Sequence, residues 1–164
     1  MNRIGQIWPA ITRALRLFAV AAVLAPALGA MAHVATARAE MSGPAKLVVN
    51  VTSLRSGEGK VHFGLYDRED GFPTFDGRLA GAEVAADKAG VTYEFSDLPP
   101  GLYAVTVFHD ENANGEFDFN FIGLPKEGYG FSNGATGFLS APSFQAAGVK
   151  VGEDDAKIVI QVTY

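Results

Sequence analysis

Between Asp110 and Asp118 the chain reads Asp-Glu-Asn-Ala-Asn-Gly-Glu-Phe-Asp. Side-chain oxygens fall at positions 1, 3, 5 and 9 of this stretch, on Asp110, Asn112, Asn114 and Asp118, and Gly115 stands at position 6. Calcium takes six to eight hard oxygen ligands, and alternate residues of a curled loop turn their oxygens toward one centre. Glycine at the sixth position allows the sharp bend, and the residue after it, Glu116, is expected to offer its carbonyl. The bidentate Glu of an EF-hand is missing, because Phe121 occupies position 12. No helical period flanks the loop. The expectation is therefore an EF-like calcium loop in a β context, completed by Asn120, Glu127 or water. With so few carboxylates its affinity belongs with extracellular modules, at roughly 10⁻⁴ M. The competing reading is a solvent-exposed polar turn, since Asp, Asn and Gly also populate turns for local reasons.

Catalytic chemistry has fewer candidates. Beyond residue 40 the histidines are His62 and His109, and there is no cysteine. His109 precedes Asp110, and a His–carboxylate pair can act as a general base. Consecutive strand residues point to opposite faces, however, so adjacency alone makes no dyad. A small hydrolase using His109 with Asp110, Glu116 or Glu127 is one alternative function. A polar histidine satisfied at a strand end is the plainer one. A second alternative is a carbohydrate-binding module in which Tyr129, Phe131 and Phe138 form a platform for sugar rings. Those rings, with Phe144, could equally tack a loop to the body of the fold.

The elements that must position these groups are short strands. Leu47, Val49 and Val51 alternate with Val48, Asn50 and Thr52, and Val61, Phe63 and Leu65 alternate with His62, Gly64 and Tyr66. Ser56-Gly57-Glu58-Gly59 between them predicts a hairpin. Leu79 to Ala86 reads as a weak, alanine-rich edge strand. Val91 to Phe95 and Leu102 to His109 flank Pro99, Pro100 and Gly101, which end one strand and let the chain reverse. The Leu102–His109 segment is the most apolar and is expected at the centre of its sheet. Residues 148–151 and 156–164 supply the last strands, the latter with Ile158, Ile160, Val162 and Tyr164 inward. Between the Leu102–His109 segment and residue 148, residues 110–147 carry glycines at 115, 123, 128, 130, 134 and 137 and show no helical stripe. So long an excursion in a compact domain is expected to be functional. The pattern predicts an all-β, antiparallel sandwich of about seven strands, transthyretin-like or immunoglobulin-like, with one long structured loop.

The chain has 164 residues and no cysteine. Arg3, Arg13 and Arg16 precede an apolar run from Leu17 to Ala30, and Ala37-Arg38-Ala39 is a small-x-small pattern. This predicts a signal peptide over residues 1–39, or one cut after Ala32. Pro26 interrupts the run, which is shorter than the roughly 20 apolar residues a span requires. The expectation is a periplasmic or secreted domain, 40–164, with no stable membrane insertion after cleavage. That domain holds nine Lys and Arg against 18 Asp and Glu, a balance of −9. Such acidity excludes a nucleic-acid partner, because no basic patch exists to displace counterions from phosphates. It suits cations.

The ordered pieces Leu47–Val51, Gly59–Tyr66, Phe95–Tyr103, Phe108–Asp118, Gly123–Asn133 and Ala141–Phe144 resemble the secreted bacterial proteins of domain of unknown function 2141. The resemblance implies an exported protein with no assigned activity. More remotely, Phe95-Ser-Asp-Leu-Pro-Pro-Gly-Leu-Tyr103 is similar to transthyretin-like and collagen-adhesin B-type sandwiches. Such a likeness transfers no chemistry, and the end Ile160-Gln-Val-Thr-Tyr164 departs from the Tyr-Arg-Gly-Ser of transthyretin-related hydrolases. The expected function is thus a non-enzymatic exported sandwich. It would bind a calcium-like cation through Asp110, Asn112, Asn114, Glu116, Asp118 and Glu127, and present the 110–147 excursion to a ligand or envelope protein.

Overall fold

Eight strands build two sheets in the computed structural model, which describes residues 44–137 and 140–164. The expected signal segment and Phe138 lie outside the described residues. The first sheet has β1 (Ala45–Thr52) between β4 (Val91–Leu98) and β8 (Ala156–Gln161). The second runs β3 (Ala80–Ala85), β2 (Lys60–Tyr66), β5 (Gly101–Asp110), β6 (Gly128–Phe131), with β7 (Val149–Val151) paired to the start of β5. The inner faces meet in one core. Leu47, Val49 and Val51 from one sheet face Val61, Phe63, Leu65, Val105 and Val107 from the other, all buried. Period-2 alternation produced this core directly. The weak Ala80–Ala85 strand is an edge, and β5 is flanked on both sides, as expected.

Three expectations need correction. The β1–β2 hairpin does not form: β1 pairs with β4 and β8, while β2 pairs with β3 and β5, so the Ser56–Gly59 turn carries the chain from one sheet to the other. The sandwich is not wholly antiparallel, because β1 and β8 run parallel, Leu47 opposite Ala156 and Val51 opposite Ile160. Alternating strands read the same in either direction, which is why the sequence did not show it. Finally, Tyr164 is 44% exposed rather than inward.

The outer face of the second sheet is covered too. His62 and Tyr66, expected on the outward face, are 3% and 1% exposed. The 110–147 excursion folds back over them and contributes β6 as well as the one-turn helix α1 (Phe144–Ala147). Ser143 caps that turn by accepting from the Ala146 amide. Ser132, fully buried, pins the excursion to the central strand. Its hydroxyl donates to the Ala147 carbonyl at 2.6 Å and accepts from the Val105 amide at 2.8 Å. Ser132→Ala strands both backbone groups and is expected to cost about 2 kcal/mol, measured by denaturant unfolding.

Candidate cation-binding loop

The 110–118 loop leaves the end of the central strand, and its first residue is the best-held side chain in it. Asp110 is completely buried. Its Oδ2 accepts from the Gly115 amide at 2.8 Å and from His62 Nε2 at 3.1 Å, and its Oδ1 accepts from the Asn114 amide at 3.1 Å. Burial alone would push this carboxyl up. The bonds from Gly115, His62 and Asn114 outweigh it and hold the group below the ordinary carboxylate range. Gly115, at φ +79°, supplies the turn that brings its own amide back onto Asp110. Asn112 Oδ1 accepts from the Asn114 amide and Asn114 Oδ1 from the Glu116 amide, so each asparagine caps a local turn two residues on.

Asp118 closes the loop. Its Oδ2 accepts from the side-chain amides of Asn112 (2.8 Å) and Asn114 (3.2 Å). From there the chain makes a small hairpin. The Lys126 amide donates to the Asp118 carbonyl, and Phe119 bridges Pro125. That return places Glu127 beside Asp118, whose backbone amide donates to Glu127 Oε2 at 3.3 Å. Glu127 is 5% exposed, and its Oε1 has no hydrogen-bond partner. Burial, with the charges of Asp110, Asp118 and Glu111 nearby, pushes this carboxyl up. Asn120, the other candidate completer, is used elsewhere: its Oδ1 accepts from the Ile122 and Leu124 amides and caps the hairpin tip. The Glu116 side chain is exposed. Among the described residues no three His, Cys, Asp or Glu side chains are gathered in a metal-holding cluster. Two of the loop's expected ligands are asparagines.

The base of the loop is buttressed from outside. Gly59, at φ +70°, packs so tightly under it that a Cβ there would stand 1.9 Å from the Asp110 carbonyl oxygen. Glu111 is held by the Arg55 guanidinium and by Ser56 Oγ at 2.7 Å. Sequence reasoning missed His62, the partner of Asp110. It lies on β2 diagonally across from Asp110, stacked on Phe108 with ring centroids 4.4 Å apart. Alternation had put it on the outward face. Only the β2–β5 register could have shown which carboxylate it meets.

His109 forms no dyad with Asp110. Its Nε2 donates to the Glu58 carbonyl at 2.8 Å, and its Nδ1 accepts from the Tyr164 hydroxyl at 2.6 Å. Both ring nitrogens are therefore engaged, on the opposite face of β5 from His62. The rings proposed for sugar stacking are not coplanar: Tyr129 and Phe131 cross at 74°.

These features define an all-β, two-sheet sandwich with an oxygen-rich loop at the end of its central strand. The model of a family described as "Uncharacterized protein conserved in bacteria (DUF2141)" matches residues 49–159, and the chain belongs to that family. No curated protein and no solved structure matches the chain.

Proposed function

We propose that this is an exported, non-enzymatic β-sandwich whose 110–118 loop binds calcium or a similar hard cation. Asp110, Asn112, Asn114 and Asp118 would supply side-chain oxygens, Glu116 its carbonyl, and Glu127 the distal carboxylate. The observation that carries this reading is Glu127 Oε1, buried, unpartnered and in the company of three further carboxylates, Asp110, Asp118 and Glu111. A buried charge without a partner is costly, and a cation at the loop centre would satisfy it. The asparagine nitrogens gather on Asp118, so to offer oxygen to a cation each side chain would have to turn over and give up the bond its Oδ1 accepts from the Asn114 or Glu116 amide. The ion would tie the start of the 110–147 excursion to its return at Glu127, and that ordered excursion would face a ligand or an envelope partner. Export rests on the arginine-flanked apolar run and the Ala37-Arg38-Ala39 pattern. Recovery of a chain beginning at Glu40 or His33 from the cell envelope would test it.

The cation test is a thermal melt with calcium and then with chelator. A ligand bound only by the folded state stabilises it by about 1.4 kcal/mol at tenfold excess over Kd, which corresponds to roughly 4–6 °C for a domain of this size. Glu127→Gln is expected to do two opposite things. In chelator it raises stability by about 1 kcal/mol, because a neutral amide no longer sets a buried charge beside Asp110, Asp118 and Glu111. In calcium the stabilisation seen in the parent is lost. An unchanged calcium response in Glu127→Gln, or none in the parent at millimolar calcium, would reduce the loop to a polar turn.

A further inference from the structure

On the other side of the excursion, between it and the outer face of the second sheet, lies a cavity of about 910 Å³. Its size falls within the range that buries a small-molecule ligand. Phe108, Phe117, Tyr129 and Phe131 line its body, and Ile122 and Leu124 stand at its lip, 64% and 52% exposed. The wall is therefore apolar, and so is the approach to it.

One cation is built into that wall. Arg78 is the only Lys or Arg among the lining residues; Glu116 is the only carboxylate, and it is exposed. Gly64 and Gly81 face each other across β2 and β3, and Arg78 lies over both of them. A Cβ on Gly64 would stand 2.9 Å from Arg78 Cδ, and one on Gly81 would stand 2.9 Å from Nη1. The missing side chains make the seat. On its other side the guanidinium stacks on Phe75, 3.3 Å from the ring centroid, and its Nε donates to the Phe75 carbonyl at 2.9 Å. Arg55 and Arg68 are each paired with a carboxylate. Among the described residues Arg78 has no such partner, and its two terminal nitrogens meet no acceptor. A planar guanidinium held flat with a free N–H edge matches a carboxylate in bidentate geometry.

We propose that this cavity binds a carboxylate-bearing amphiphile, with the head on Arg78 and the apolar body across Phe108, Phe117, Tyr129 and Phe131. The inference stands independently of any cation in the 110–118 loop. Isothermal titration calorimetry on the 40–164 domain, with laurate, dodecanol and dodecyltrimethylammonium each kept in true solution below its solubility or micelle limit, tests it. These probes share one chain and differ in the head. Laurate is expected to bind roughly 10- to 100-fold more tightly than dodecanol, the span of a charge-assisted hydrogen-bonded pair, and the ammonium least of all. Arg78→Met keeps the stem and removes the charge, so it should bind laurate no better than dodecanol. Arg78→Lys should retain part of the preference, which separates a lost anchor from a lost fold. Equal binding of the three probes, no binding of any, or a laurate preference that survives in Arg78→Met would overturn the assignment.

Discussion

Replacing Asp110 by alanine is expected to cost about 3–5 kcal/mol and to abolish the calcium response. Three donors lose a fully buried acceptor at once: the Gly115 amide, the Asn114 amide and His62 Nε2. Hydrogen bonds to a charged group are worth about 1.5–3 kcal/mol each and do not simply add. Breaking a buried His–carboxylate contact from one side also leaves the imidazole facing a void beside Phe108. The pH dependence gives a second readout. The folded carboxyl of Asp110 sits below its ordinary value. Its contribution is therefore present above the unfolded carboxylate's pKa and is lost as pH falls through the lower folded value. The acid limb of the parent's stability curve should flatten in Asp110→Ala. Chemical denaturation across pH 2–6, in chelator, measures both. A variant as stable as the parent, with an unchanged acid limb, would remove Asp110 from the centre of this account.

Gly59→Ala is expected to cost at least about 3 kcal/mol, although it adds a single methyl group. Two effects combine. The backbone there sits at φ +70°, where a Cβ is strained. The new atom would also stand 1.9 Å from the Asp110 carbonyl oxygen and 2.8 Å from Glu111 carbonyl carbon, both of them backbone that cannot swing aside. The loop base must move, and Asp110 with it, so the calcium response should weaken in parallel. Gly115→Ala is the control. It has a similar φ of +79° but open space around it, so only the conformational cost of about 1 kcal/mol is expected. Thermal melts of the two variants side by side decide the point: equal losses would mean that contact with Asp110 contributes nothing.

The division between what was legible and what was not follows the range of the interactions. Val61, Phe63 and Leu65 against His62, Gly64 and Tyr66 named both faces of β2 from alternation alone, and the spacing of Asp110, Asn112, Asn114 and Gly115 marked the loop that does curl on itself. Those are local facts, written into neighbouring residues by pleat geometry and by the conformational freedom of glycine. Pairing is not local. The parallel contact of β1 with β8 and the register that sets His62 under Asp110 depend on residues 48 or more apart, and the sheet to which β2 belongs on pairings with β3 and β5 that no neighbouring residue dictates. So does the cover that the excursion lays over a face expected to meet solvent. It buries Glu127 beside Asp118 and walls one side of the cavity that Gly64 and Arg78 line. By itself the sequence determined a two-faced β domain with an oxygen-rich loop. Only the tertiary structure decided which carboxylate is held, which is left unpartnered, and which arginine faces an apolar cavity, because each of those outcomes is a meeting of residues that alternation and spacing leave independent.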